Sequence, residues 1–173
     1  MITRPEVNEY LPNVQRYIDL VPEGDIVQIL QAQLNTNLCL LSDLNEDKGN
    51  YRYAPDKWTL KSVIGHIADV ERLSSYRILR IARGDVGVLS GYDRDLFVAN
   101  SSLDAVSLTN VLHDYEAVRN ATISLIDNLP EKAILHVGEF NQHPLSVRAC
   151  IYMIAGHEIH HMNVIKSRYL SVE

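Results

Sequence analysis

A chain of 173 residues, 46% hydrophobic and 22% charged, has ample apolar material for one globular core and no sign of disorder. Its 16 basic against 22 acidic residues leave a formal charge of -6, the wrong sign for a surface that neutralises phosphates, so nucleic acid is not expected as a partner. No run approaches the roughly 18 apolar residues of a membrane span, the polar start from Met1 to Asn13 lacks a signal-peptide core, and Cys39 and Cys150 form no CxxC pair, so a cytoplasmic protein with two buried free thiols and no membrane partner is expected.

The first 20 residues or so read as an extension packed on the domain. Ile26, Ile29, Leu30, Gln33, Leu34, Leu38, Leu41 and Leu44 then recur at spacings of three and four, which predicts an amphipathic helix over 25–45. A polar link over 45–55 leads to a second helix, 59–83, with Thr59 as its N-cap and Gly84 as its stop. Residues 84–106 contain Gly84, Gly87, Gly91 and Tyr92-Asp93-Arg94-Asp95 and predict a long crossing loop with a helical turn at 95–99. Ser107 caps a third helix through Leu129, stopped by Pro130, with Leu108, Val111, Leu112, Tyr115, Val118, Ile123, Leu125 and Ile126 as its apolar positions. Only 133–144 has extended character. Ser146 caps a fourth helix that carries Val147, Ile151, Ile154, His157, His161 and Ile165 to about Tyr169. Four long helices without a convincing sheet predict an all-α fold, a four-helix bundle with long crossing connections, as a single domain over 1–173.

The chemistry concentrates in Gly156-His157-Glu158-Ile159-His160-His161-Met162, which holds three of the seven histidines. Residues four apart on a helix share a face, so His157 and His161 can address one metal ion, while His160, the competing partner, projects to the other side of His157 and is read as a surface or supporting residue rather than a replacement ligand. Two imidazoles from one helix seldom hold a divalent ion, and His66 in the second helix is the candidate for the third. Gly65 and Gly156 each precede one of these histidines and suggest a close approach of the two helices at that level. Glu158 projects toward the core, where a carboxylate needs a partner: either the outer ring N–H of a ligating histidine, or an arginine such as Arg72, Arg80 or Arg148. Asp69, one turn after His66, is placed as a fourth ligand or a proton acceptor, or is simply solvated. Trp58 is expected to pack in the core or wall the site. Tyr92, Asp93 and Asp95 are within reach of its mouth, Asn141 and His143 are placed to edge a pocket, and His113 and His136 are structural.

Three blocks taken together resemble the DinB/YfiT family of bacterial proteins: Lys57-Trp58-Thr59 with Gly65-His66-Ile67-Ala68-Asp69-Val70-Glu71-Arg72; Ser74-Ser75-Tyr76-Arg77-Ile78-Leu79-Arg80-Ile81-Ala82-Arg83-Gly84-Asp85; and Leu145-Ser146-Val147-Arg148-Ala149 leading into Gly156-His157-Glu158-Ile159-His160-His161. The resemblance spans about residues 20–170. It implies a four-helix bundle with a divalent metal held by His66, His157 and His161, and a homodimer. Some members transfer a low-molecular-weight thiol such as bacillithiol or mycothiol, and others are described as metal-dependent hydrolases. The expectation is therefore a metal-dependent thiol S-transferase that uses Zn²⁺ or Ni²⁺, a small-molecule thiol and an electrophilic substrate, with Asp69 or Glu158 handling protons. The alternatives are a hydrolase acting through water and a non-catalytic metal-binding stress-response protein.

Overall fold

The computed structural model describes residues 1–85 and 87–171; Val86, within the predicted crossing loop, lies outside them. Each long helix starts where a short polar side chain satisfies otherwise unpaired amides. Asp25 accepts from the amides of Val27 and Gln28 to open α2 (Ile26–Leu41), following the single turn of α1 (Gln15–Ile18). Asn45 opens the short α3 (Glu46–Gly49), and Thr59 opens α4 (Leu60–Ala82), which ends before Gly84 in the left-handed region, φ 76°. The predicted crossing loop contains α5 (Arg94–Asn100), capped by Asp93 and longer than the single turn expected. Ser107 caps α6 (Leu108–Asp127) and Ser146 caps α7 (Val147–Val164), which continues as a π-helical segment over Ile165–Leu170.

The predicted extended stretch divides. Its beginning belongs to a 3₁₀ segment, Glu131–Leu135, which buries Ala133 and Ile134; the rest forms the hairpin of β1 (Val137–Phe140) and β2 (His143–Ser146). Val137 pairs with Ser146 and Phe140 with His143, and the two turn residues Asn141 and Gln142 have φ of 49° and 65°, as a tight hairpin turn requires.

Both α4 and α2 pack chiefly against α6 and α7, so the order around the bundle is α2, α6, α4, α7. Successive helices α2 and α4 therefore stand on one diagonal, and α6 and α7 on the other. Two apolar layers give the helix directions. One contains Leu30, Ile78, Ile126 and Ile151; the other contains Leu41, Ile64, Leu112 and Met162. Going from the first layer to the second, α2 and α7 ascend in number, whereas α4 and α6 descend. Because α4 and α6 run parallel, the chain must return the length of the bundle between them, which is the physical reason for the long connection over 84–106.

Between the apolar layers lies a polar one. Arg119, 0% exposed, donates from Nε and Nη2 to the two oxygens of Glu71, both at 2.8 Å, and from Nη2 to Glu158 Oε2 at 2.6 Å. Asn37 and the Tyr115 hydroxyl donate to Glu158 Oε1. All four bundle helices contribute to this cluster, so it fixes their relative heights.

The segment before α2 lies across α7. Arg148 donates to Glu9, from Nε at 2.8 Å, and Ser146 Oγ donates to Glu9 at 2.6 Å. Tyr10, Ile18 and Val21 join the first apolar layer. Cys150 is buried as expected, but Cys39 is exposed, because the inward stripe of α2 runs through Leu34, Asn37 and Leu41 and leaves position 39 outside it. No helix among the described residues is long and apolar enough to cross a membrane.

Candidate metal centre

His66 stands in the first half of α4, and His157 and His161 stand on α7, where these antiparallel neighbours meet beside the polar layer. The ligand atoms of the three rings all lie within 4.8 Å of one another. His157 Nε2 and His161 Nε2 are 3.1 Å apart, and the His66 ring centroid is 5.2 Å from that of His157 and 5.0 Å from that of His161. Two nitrogens about 2.0–2.1 Å from one ion and so separated subtend about 100° at it, between octahedral and tetrahedral values. The donor set therefore fits a single divalent cation.

Burial also prepares the rings chemically. His66 is pulled down to about 4 by desolvation, with Arg94 contributing, and His161 to about 3 by desolvation and its histidine neighbours. Desolvation also lowers His157 well below its ordinary value. All three are thus neutral near pH 7, the form in which imidazole donates to a metal.

Aromatic side chains wall the cluster. The Trp58 ring is 5.0 Å from His66, held by the Tyr169 hydroxyl, which donates to the Trp58 carbonyl at 2.7 Å. The Tyr17 ring lies 5.4 Å from His157 and 5.5 Å from His160. A cleft of ≈ 300 Å³ opens on His161, bordered by Tyr53, Trp58, Arg94, Asp95, His160 and Tyr169.

Several expectations are corrected by this geometry. Gly65 and Gly156 do not face each other: a Cβ on Gly65 would stand 2.2 Å from Leu103 Cδ1, and one on Gly156 would stand 1.9 Å from the Tyr17 carbonyl oxygen. The glycines admit the crossing segment and the N-terminal segment. Glu158 is buried as expected, but it meets neither a histidine nor the arginines anticipated. Arg72 pairs with Asp69 and Asp114, Arg80 with Asp85, and Arg148 with Glu9, while Glu158 is held by Arg119, Tyr115 and Asn37. Both carboxylate oxygens are engaged, Oε1 by Asn37 and Tyr115 and Oε2 by Arg119. Asp69 is outside the three-histidine group, is half-buried beside Arg72 at 3.4 Å, and has its pKa raised by desolvation.

Asp95 lines the cleft, Asp93 caps α5, and the Tyr92 ring packs against Phe97 with centroids 4.8 Å apart and planes inclined by 49°. Asn141 and His143 belong to the hairpin, whose Phe140 packs on Arg77 far along α4, and His113 and His136 are exposed. Arg119 and Glu71 do not stand out in the sequence as functional residues. Their signal was spacing: Arg119 follows Tyr115 by one turn and precedes Thr122, inside the buried stripe of α6.

A helical bundle with parallel α4 and α6 and an inward three-histidine cluster defines a class of proteins built around a candidate metal centre. The sequence pattern of the DinB superfamily matches residues 29–165, and the chain belongs to that superfamily. Among solved structures, it is similar to YfiT from Bacillus subtilis, described as a probable metal-dependent hydrolase with an unusual four-helix bundle topology. The similarity has a TM-score of 0.71 at 13% identity and covers 95% of this chain and 90% of that one, which establishes the shared fold. No curated protein matches the chain significantly.

Proposed function

We propose that the protein binds one divalent metal ion through His66, His157 and His161, which would assist transfer of a small thiol to an electrophilic organic substrate: the thiol gives up its proton, and a new S–C bond replaces the bond to a leaving group on the substrate. The observation that carries the reading is the convergence of three neutral imidazoles beside an aromatic cleft. A bound ion supplies positive charge that lowers the pKa of a thiol or water presented to it. Zn²⁺ and Ni²⁺ both suit imidazole donors. Trp58 and Tyr169 hold the apolar part of a substrate and exclude water from one side of the cleft. Asp69, with its raised pKa and its place one turn beyond His66, is the group assigned to receive the nucleophile's proton. Glu158 keeps α7 in register through Arg119.

A second reading, hydrolysis, draws on the description of YfiT and requires only that water replace the thiol at the same centre. The experiment that tests the shared part is metal analysis of untagged protein by plasma mass spectrometry. About one equivalent in wild type, lost in both His66→Ala and His161→Ala, is the expected result. A wild-type protein that neither carries nor takes up Zn²⁺ or Ni²⁺ removes both readings. With the metal in place, turnover of an electrophile that requires an added small thiol selects transfer, and turnover without thiol selects hydrolysis.

A further inference from the structure

Toward the other end of α4, a cavity of ≈ 320 Å³ lies between that helix and the crossing segment, with Tyr76, Arg77, Arg80, Ser90, Tyr92 and Phe97 in its wall. Arg77 is only 8% exposed. Its guanidinium makes one hydrogen bond, from Nη2 to the Ser90 carbonyl at 3.1 Å, and lies 4.2 Å from the Phe140 ring centroid. Among the described residues it has no carboxylate partner, whereas Arg72, Arg80, Arg119 and Arg148 each have one. A guanidinium has five N–H donors, so most of this fork is unused by the protein. Leaving a buried charge without a counter-ion is costly, and burial accordingly lowers the pKa of Arg77.

The cavity supplies what an organic anion needs. Arg80 is committed to Asp85, Nε to Oδ2 at 2.5 Å, so one free positive charge remains. A planar fork bearing a single charge, with phenol and phenyl walls, suits a carboxylate monoanion better than a phosphate dianion. Arg77 also stands eleven residues after His66 on the same helix, within about 20° of the same face and about 16 Å along the axis. Helical side chains lean toward the N-terminus, which is the direction in which His66 lies along α4. Tyr92 lines the cavity and is close enough to feel the charges of Arg77, Asp69 and Arg94.

We propose that Arg77 binds a carboxylate of an organic substrate whose reacting end lies at the three-histidine centre. The second half of this statement rests on the proposed function; the carboxylate subsite does not. The test is titration of the ¹⁵N-labelled full chain at fixed ionic strength with phenylacetate, its neutral isostere phenylacetamide and inorganic phosphate, following the arginine Nε–Hε resonances. Phenylacetate is expected to bind saturably and at least about tenfold more tightly than the amide. R77K, which keeps the charge and loses the fork, should weaken it, and R77M should abolish it. A purely structural arginine predicts that R77M melts lower. A ligand-binding arginine predicts an unchanged or raised midpoint, because an unpaired charge has left the interior.

His161→Ala separates this proposal from the metal reading, since the titration should survive in it. Unchanged binding to R77M, tighter binding of phosphate, loss of binding in His161→Ala, or a markedly lower melting midpoint of R77M would each overturn the proposal.

Discussion

Replacing Arg119 by Met tests how the bundle tolerates its polar layer. The guanidinium makes two bonds to Glu71 at 2.8 Å, one to Glu158 at 2.6 Å, one to the Leu30 carbonyl at 3.1 Å and one to Gln33 at 3.3 Å. R119M leaves two carboxylates, each no more than 2% exposed, without their cation. Removing one partner of a buried ion pair costs about 3–5 kcal/mol. For a chain of this length that lowers the thermal midpoint by about 6–20 °C. Urea unfolding followed by circular dichroism should show a lower midpoint with an unchanged slope, because the surface exposed on unfolding is nearly the same. The triple variant E71M/R119M/E158Q, which removes the orphaned charges and keeps an acceptor for Asn37 and Tyr115, should recover most of the loss. R119M within about 1 kcal/mol of wild type, or a triple variant as unstable as R119M, refutes the reasoning.

Gly156→Ala meets main chain at Tyr17 and Gly65→Ala meets a leucine side chain, so the former should cost more, about 1–3 kcal/mol, with faster hydrogen exchange confined to residues 4–21; equal costs argue against the close seat of Tyr17. Because Trp58 is the sole tryptophan and lies 5.0 Å from His66, Ni²⁺ should quench its fluorescence in wild type and not in His66→Ala; quenching retained in the variant places the ion elsewhere. In metal-free protein, His66 and His161 have folded pKa values of about 4 and about 3, below the unfolded value, so the unfolded chain takes up protons first as pH falls. Stability from these groups is complete above about pH 6.5 and declines from there toward pH 3–4, by up to about 1.4 kcal/mol per pH unit for each histidine. Metal-free H66N should flatten that slope, and an unchanged urea midpoint profile between pH 4 and 7 contradicts it.

Much of the fold was legible because its signals are local. Thr59, Ser107 and Ser146 sit where the caps are, Gly84 ends α4 with a positive φ, and apolar spacing marks each helix. His157 and His161 were readable as a pair for the same reason, being one turn apart. What was not legible depends on partners distant in the chain. The burial of Arg119 makes sense only with Glu71 and Glu158, supplied by two other helices. The neighbours of Gly65 and Gly156 come from segments whose positions no periodicity encodes. The hairpin shows in the sequence only as extended character because each strand has four residues and one contains Pro144. Arg77 falls on the His66 face of α4, yet its missing counter-ion is visible only once every surrounding element is placed.

The seat of residues 9–21 on α7 also bears on how the molecule is made. Glu9 and Tyr17 meet Ser146, Arg148 and Gly156, so their docking site is synthesised well over a hundred residues after they are. A ribosome extends the chain at about 5–20 residues per second, which leaves this segment without its native surface for many seconds. Assembly of the histidine cluster must likewise wait for α7, so the centre closes only after α2, α4 and α6 have had time to collapse around a gap.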